Sequence, residues 1–151
     1  MRAVVQCVSE ASVTVDGVVT GRIGPGFLIL LGVGHGDTEA EADRLWRKIS
    51  KLRVFDEEDG KTNLSLASIG GGVLVVSQFT LQASTRKGNR PSYVRAAPEA
   101  FSRPMYERFT ARVAELLGRE VPTGKFGADM QVALVNDGPV TIWIDSKMRD
   151  C

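Results

Sequence analysis

Apolar and polar residues alternate along the first part of the chain. This period of two runs from residue 2 to 23 on both sides of Asp16-Gly17, a residue pair typical of tight hairpin turns. Gly24-Pro25-Gly26 indicates a second turn, and the apolar run "FLILLGV" at 27–33 follows it. An uninterrupted apolar run of this kind is typical of a strand buried on both faces. The pattern therefore predicts a hairpin followed by an interior strand.

The period changes to that of a helix after residue 38. Thr38 and Glu41 have the spacing of a capping box, which marks a helix start. Apolar residues then recur three and four positions apart, so we predict an amphipathic helix over roughly 39–51.

A second helix is predicted from near Pro98 or Ser102 to Gly118, where apolar residues again recur four apart. It contains Pro104, which a helix tolerates best in its first turn. We therefore expect Pro104 to lie in the first turn of the helix.

Shorter patterns predict the remaining strands, and the acidic stretch 56–63 between them is expected to be a loop. The predicted strands are 52–55, the glycine-led run 70–81, and 128–136 and 139–145 on either side of a turn. The order β-β-β-α-β-β-α-β-β predicts an α/β fold in a single domain, residues 1–151. We expect a mostly antiparallel or mixed sheet covered by two helices.

Composition excludes several classes of protein. The 151 residues are 43% hydrophobic and 25% charged, as in ordinary globular domains, and the net charge is +1. A protein so close to neutral can bind nucleic acid only through a local patch. We find neither a signal peptide nor an apolar run long enough to cross a bilayer. Cys7 and Cys151 form no disulfide framework or metal-binding spacing, so we expect a cytoplasmic protein with free thiols.

The sequence gives little support for a dinucleotide-binding loop, a catalytic triad or a zinc site. The "GVGHGD" stretch at 32–37 resembles a dinucleotide-binding loop, but Asp37 stands where the third glycine belongs, and a sharp strand-to-helix loop explains it as well. His35 is the only histidine, and nothing pairs it with Cys7. We expect an exposed loop imidazole rather than part of a triad or zinc site.

Two stretches suggest a ligand. "SQFTL" at 77–81 places three hydrogen-bonding side chains at the end of a buried strand, where they bind a ligand or simply satisfy the backbone. A basic surplus begins with Arg86, Lys87, Arg90 and Arg95 and continues through Arg103, Arg108 and Arg112. It could hold phosphates or be a solvated loop.

Gly138-Pro139 is unusual because a proline stands where the last strand should begin. X-Pro bonds adopt the cis form far more often than other peptide bonds, so this pair could form a rigid elbow. It could equally start an edge strand, where a missing N–H costs nothing.

Taken together, these stretches resemble the D-aminoacyl-tRNA deacylases. The similarity covers "MRAVVQ" and "ASVTVDG" at the start, "SQFTL", "KGNRPSY" and "TGKFGADMQVALVNDGPVT", in that order along nearly the whole chain. The resemblance implies a compact α/β homodimer without cofactor or metal, with active sites at the subunit interface. It implies hydrolysis of the ester between a D-amino acid and tRNA, and of glycine mischarged on tRNA for alanine.

The resemblance also implies roles for individual residues. Thr80, Gln78 and Phe79 are expected to be catalytic, and Ser77, Phe126 and Met130 to bind the substrate. Gly138 and Pro139 would form a Gly-cis-Pro motif that reaches into the partner's active site and rejects L-amino acids.

Two points remain open at the level of the sequence. Thr80 could be a nucleophile, although no base is evident to activate it. Our preferred hypothesis is that water attacks the ester with help from the 2′-hydroxyl of the terminal adenosine. Cys7 stands where the family usually has an arginine near the Gly-Pro motif, so we expect weaker rejection of glycyl and L-aminoacyl substrates than in a Cys7→Arg variant.

The competing hypotheses for the function are a non-catalytic RNA-binding module and a hydrolase of small D-amino acid esters or amides.

Overall fold

The computed structural model describes residues 1–148, so Cys151 lies outside the described residues. Its elements in chain order are β1 Arg2–Val15, β2 Val18–Ile23, β3 Gly26–Gly32, α1 Glu39–Ser50, β4 Arg53–Asp56, β5 Thr62–Ser65, β6 Gly72–Ser77, a 3-10 helix Phe79–Gln82, α2 Glu99–Leu117 and β7 Gln131–Asp145.

The long strand β1 organises the main sheet. It pairs antiparallel with β2, β3 and β7, and β3 pairs in parallel with β6. The predicted hairpin between β1 and β2 is confirmed, since Asp16 and Gly17 both have positive φ, 49° and 78°, as a tight hairpin turn requires. The sheet is therefore mixed, as expected, and the α/β fold class is confirmed.

Both predicted helices are present. Thr38 and Glu41 form the predicted capping box at the start of α1. Glycine at the end of α2 adopts the left-handed conformation typical of a helix C-cap, with φ 66° at Gly118. The helices pack together through Trp46 and Phe109, whose rings meet edge to face at 6.1 Å, and they cover one face of the sheet.

Pro104 lies in the second turn of α2, because the helix begins at Glu99. The expectation that it would lie in the first turn is therefore wrong. The helix loses one backbone hydrogen bond at this proline. It continues because Met105, Tyr106 and Phe109 beyond the proline are buried in the core.

The sequence pattern was also wrong at three local points. Residues 62–63, expected at the end of the loop, begin the short strand β5, Thr62–Ser65, which pairs with β4. The strand predicted to continue to 81 ends at Ser77, and a 3-10 helix follows. The last two predicted strands are one element, β7, which runs antiparallel to β1 on both sides of Asp137-Gly138. The chain does not reverse there, so this pair is not a hairpin turn.

No helix within residues 1–148 is long and apolar enough to cross a membrane.

Candidate active site

A cavity of about 260 Å³ opens where β6 ends. Because β3 and β6 are parallel neighbours, their carboxyl ends meet at this edge of the sheet, a common place for binding sites. The cavity is lined by Leu31, Val33, Val76, Ser77, Gln78, Phe79, Ser102, Tyr106, Phe126, Gly127, Ala128, Met130 and Val132. Five residues expected at the site from the sequence, Ser77, Gln78, Phe79, Phe126 and Met130, are among them.

Thr80, expected to be catalytic, does not line the cavity; it is half-buried in the 3-10 helix, directly after the lining residue Phe79. The Gln78 side-chain amide donates a hydrogen bond to its Oγ1, and the Gln78 backbone N–H is fixed to the Leu31 carbonyl at 2.8 Å. Within residues 1–148, neither a carboxylate nor an imidazole hydrogen-bonds to Thr80. A threonine hydroxyl without an adjacent base is a weak nucleophile.

The only histidine lies away from this cavity. His35 is exposed, as expected, and its Nε2 lies 3.1 Å from the Val94 carbonyl oxygen. Asp37 of the same loop is buried and pairs with the Met1 ammonium at 2.8 Å. These contacts are those of a sharp strand-to-helix loop, the second of the two interpretations offered by the sequence.

The opposite wall is fixed to β6 by the segment before Phe126. The Gly124 N–H donates to the Val75 carbonyl at 3.1 Å, and the Val75 N–H donates to the Pro122 carbonyl at 3.2 Å. A Cβ at Gly124 would lie 2.5 Å from the Met130 sulfur, so a larger residue here would require the Met130 side chain to move. These contacts set the positions of both expected residues on this wall.

Tyr106 is a lining residue that the sequence reasoning missed. Its hydroxyl donates to the Val75 carbonyl at 2.9 Å, and its ring packs against Phe126 at 5.7 Å. Burial raises the pKa of Tyr106 to about 12, so it stays protonated at neutral pH. Ser102, one helical turn earlier on the same face of α2, also lines the cavity. The sequence signal that could have identified them is that both are polar residues on the apolar face of this helix.

The 3-10 helix that carries Phe79 and Thr80 is held at its far end. Arg2 Nη1 donates to the Leu81 carbonyl at 2.8 Å, and its Nε pairs with Asp145 at 3.0 Å. Gln82 Nε2 donates to the Gly32 carbonyl at 3.1 Å. The sequence reasoning missed both supports because each contact spans fifty or more positions along the chain.

Gly138 and Pro139 do not line the cavity of their own chain. Residues 137–140 bulge out of β7 opposite Cys7 alone, since Gln6 pairs with Thr141 and Val8 with Asn136. The Gly138–Pro139 peptide bond is cis, and both residues are exposed.

Asn136 secures this bulge. Its Oδ1 accepts from the Val140 N–H at 3.0 Å, and its Nδ2 donates to Thr141 Oγ1 at 2.9 Å. The protruding backbone is thus tied across its base by one side chain.

Cys7, opposite the bulge, is a buried thiol in an acidic setting. It is only 2% exposed, and its Sγ lies 3.8 Å from the Val54 carbonyl oxygen. Burial, followed by the charges of Asp137 and Asp56, raises the pKa of Cys7 to about 11. The neutral Cys7 thiol therefore lies near two carboxylates, Asp137 and Asp56, that could pair with a cation at this position.

The basic surface is smaller than the sequence indicated. The three arginines of α2 are each paired with acidic side chains: Arg103 with Glu99, Arg108 with Glu39 and Asp43, and Arg112 with Glu115. Of the basic residues in this stretch, those without an acidic partner within residues 1–148 therefore lie before the helix. Within residues 1–148, no group of three or more His, Cys, Asp or Glu side chains is arranged to hold a metal.

Comparison with known proteins agrees with the resemblance found in the sequence. Residues 4–145 match the family model described as D-Tyr-tRNA(Tyr) deacylase. A D-aminoacyl-tRNA deacylase from Chromobacterium violaceum is 57% identical over 97% of this chain and 98% of that protein. Another, from Roseiflexus castenholzii, is 62% identical over 97% of this chain and 92% of that protein.

Two solved structures are also similar. One, titled c-Myc DNA Unwinding Element Binding Protein, has a TM-score of 0.93 and 43% identity, covering 98% of this chain and 100% of that one. A probable eukaryotic D-amino acid tRNA deacylase has a TM-score of 0.81 at 16% identity, covering 95% and 97%, and supports the fold alone. From the family match and the curated relatives together, the chain belongs to the D-aminoacyl-tRNA deacylase family, a family of hydrolases.

Proposed function

We propose that this protein hydrolyses the ester bond between a D-amino acid and the 3′ end of tRNA in the cytoplasm, releasing the free amino acid and tRNA. The observation that carries the proposal is the shared cavity of residues 77–79, 126–128 and Met130, from the two stretches that the family resemblance assigned to the substrate. Its volume of about 260 Å³ lies near the lower end of ligand pockets, which suits one aminoacyl end while the rest of the tRNA stays outside.

The protein acts as a homodimer in this proposal. β7 pairs with β1 along one edge, and it carries Val135 and Trp143, each 50% exposed. Large apolar side chains exposed on a strand are typical of a surface that another chain covers. The exposed bulge at Gly138-Pro139 then has a partner cavity to enter.

The bulge acts as the chiral gate. Apolar complementarity separates substrates only about 10–200-fold per methylene, so a pocket that accepts many D side chains cannot reject L side chains in the same way. A fixed backbone that leaves room only for hydrogen excludes every L side chain by steric clash. The Asn136 contacts support this role by restraining the bulge. Glycine, including glycine mischarged on tRNA for alanine, passes the same gate because it has hydrogen at both positions.

Catalysis proceeds by direct attack of water on the ester carbonyl. The C–O bond to the ribose breaks, and the 2′-hydroxyl of the terminal adenosine assists transfer of the water proton to the leaving 3′-oxygen. Phe79 and Thr80 are the first two residues of the 3-10 helix, where N–H groups lack carbonyl partners within the helix. Those N–H groups stabilise the oxyanion. The absence of a base beside Thr80 within residues 1–148 favours water over this hydroxyl.

The test compares deacylation of tRNA charged with a D-amino acid against the same tRNA charged with the L form. Rapid hydrolysis of the D ester alone supports the proposal. RNA binding without turnover would instead support a binding module, and hydrolysis of small D-amino acid esters with no benefit from tRNA would support a small-ester hydrolase.

The route of catalysis is tested separately. Replacing the terminal 2′-hydroxyl by hydrogen should abolish turnover, and full activity without it would contradict the water route. Thr80→Val should weaken binding more than turnover, with Thr20→Val, an exposed threonine on β2, as the matched control. Trapping an acyl-Thr80 intermediate would establish the nucleophile route instead.

A further inference from the structure

An exposed aromatic pair extends outward from the cavity. Phe79 lines the cavity and is 56% exposed, while Tyr93 lies outside the lining and is 42% exposed. Their rings meet edge to face with centroids 5.1 Å apart. Large exposed aromatics side by side are costly in water, and the flat ring of Tyr93 offers a stacking surface just beyond the site.

A basic loop adjoins this aromatic pair. Residues 85–91 project from a base closed by two backbone hydrogen bonds between Ser84 and Ser92, at 2.8 and 2.9 Å. Arg86, Lys87 and Arg90 are all exposed on this loop. No acidic residue occurs from 83 to 98, and none of the ion pairs found within residues 1–148 involves these three side chains.

The surface is fixed relative to the cavity before any ligand arrives. The Tyr93 carbonyl accepts from the Ala96 N–H at 2.9 Å, and the Ala97 N–H donates to the carbonyl of Val33, a cavity residue, at 3.0 Å. His35 Nε2 lies 3.1 Å from the Val94 carbonyl oxygen, which ties the same segment to the loop after β3. A ligand that spans the cavity and Tyr93 therefore meets a preorganised surface.

We propose that this surface binds the unpaired nucleotides that precede the terminal adenosine of the tRNA, an inference that rests on the proposed function. One base stacks on Tyr93, and the phosphates lie against Arg86, Lys87 and Arg90. Aromatic platforms beside a basic groove are the usual way to bind single-stranded nucleic acid without reading its sequence. The adjacency to the cavity favours RNA over a protein partner, because Phe79 is the only lining residue within residues 1–148 with an exposed side chain and it joins the cavity to Tyr93.

Direct binding tests this inference without any need for turnover. Uncharged tRNA is compared with tRNA lacking its last nucleotide and with tRNA lacking its last three. Going from tRNA that lacks its last nucleotide to tRNA that lacks its last three should weaken binding to the wild-type protein by roughly fivefold or more, as loss of a stacked base does. The same removal should weaken binding to Tyr93→Ala clearly less, because only the phosphate contacts are then left to lose. The inference is overturned when both proteins lose affinity equally or when neither does.

The matched control for Tyr93 is Phe101→Ala, since Phe101 is similarly exposed, at 41%, and does not line the cavity. It should respond to trimming like the wild type. A response like that of Tyr93→Ala would contradict a specific stacking site.

Salt dependence tests the phosphate contacts. With three contacts at about 0.7 each for a single strand, the triple variant R86Q/K87Q/R90Q should lower the slope of log affinity against log salt by about 2. The control R47Q/K48Q/K51Q removes three exposed positive charges at the end of α1. Equal slope changes in both triple variants would refute the location of the phosphate site.

Kinetics separate this inference from the proposed function. Tyr93→Ala should raise KM for D-aminoacyl-tRNA while changing hydrolysis of adenosine that carries the same D-amino acid far less. An equal effect on both substrates would overturn the inference. Failure of the wild type to hydrolyse either substrate would refute the proposed function, while the trimming experiment still decides the binding surface.

Discussion

Replacing Asp37 by asparagine should destabilise the protein far more than its small change in shape suggests. The Asp37 carboxylate lies 2.8 Å from the Met1 ammonium, and the side chains of these two residues are 1% and 0% exposed. The other carboxylate oxygen accepts from the Gly34 N–H at 2.6 Å, and Lys147 Nζ approaches the first at 3.0 Å. One oxygen thus accepts a hydrogen bond, and the other lies against two cations.

An asparagine amide cannot satisfy this arrangement in either orientation. If its oxygen faces Gly34, its NH₂ group faces the Met1 ammonium, and the flipped amide places NH₂ against the Gly34 N–H. The ammonium keeps its hydrogen bond to Ser146 Oγ at 2.7 Å but loses its counter-charge. Removing one partner of a buried pair costs about 3–5 kcal/mol, which corresponds to a fall in Tm of roughly 6–20 °C at this chain length.

The assay is urea unfolding of Asp37→Asn and Asp43→Asn at one protein concentration, because the stability of the proposed dimer would depend on concentration. Asp43 pairs with Arg108 at 3.3 Å, but these side chains are 28% and 42% exposed, so its loss should cost only about 0–1 kcal/mol. A loss below about 1 kcal/mol for Asp37→Asn, or equal losses in the two variants, would refute the reasoning.

Three further predictions follow from buried groups at and near the site. The pKa of Cys7 is about 11 in the folded protein against an ordinary 9.0, so folding retains a proton that the unfolded chain releases. The free energy of unfolding should therefore fall as the pH rises from about 9 to about 11, and urea titrations of Cys7→Val should show a smaller fall. Cys7→Arg should sharpen rejection of L-aminoacyl substrates, because Asp56 and Asp137 can pair with the new cation. The rate on glycyl substrates should change less, since glycine passes the gate in either protein. Equal L-to-D rate ratios in the two proteins would show that the cysteine is harmless. Tyr106→Phe should cost about 0.5–1.5 kcal/mol for its hydrogen bond to Val75 and leave kcat unchanged. Tyr106→Ala should cost about 3–5 kcal/mol and raise KM, and a fall in kcat for Tyr106→Phe would indicate a catalytic role instead.

Features with a local cause could be predicted from the sequence. The Asp16-Gly17 turn, the Thr38 capping box and the Gly118 helix end each depend on a few neighbouring residues, and all three are present. Hydrophobic periodicity likewise indicated which faces are buried, because burial repeats with the geometry of the element.

The path of the last strand could not be predicted in this way. Asp137-Gly138 has the composition of a hairpin turn, yet both flanking stretches pair with β1 in one direction. The difference between a turn and a bulge depends on whether a partner strand continues past it. β1, with its 14 residues, supplies that partner from the other end of the chain.

The candidate site divides along the same line. The sequence by itself determined the polar strand end at 77–80 and, through resemblance, Phe126 and Met130. Only the tertiary structure brought Tyr106 from α2 into the same cavity and set Arg2 behind the 3-10 helix. A residue's own neighbours determine its local conformation, but its contacts across the fold depend on how sheet and helices pack, which no local pattern records.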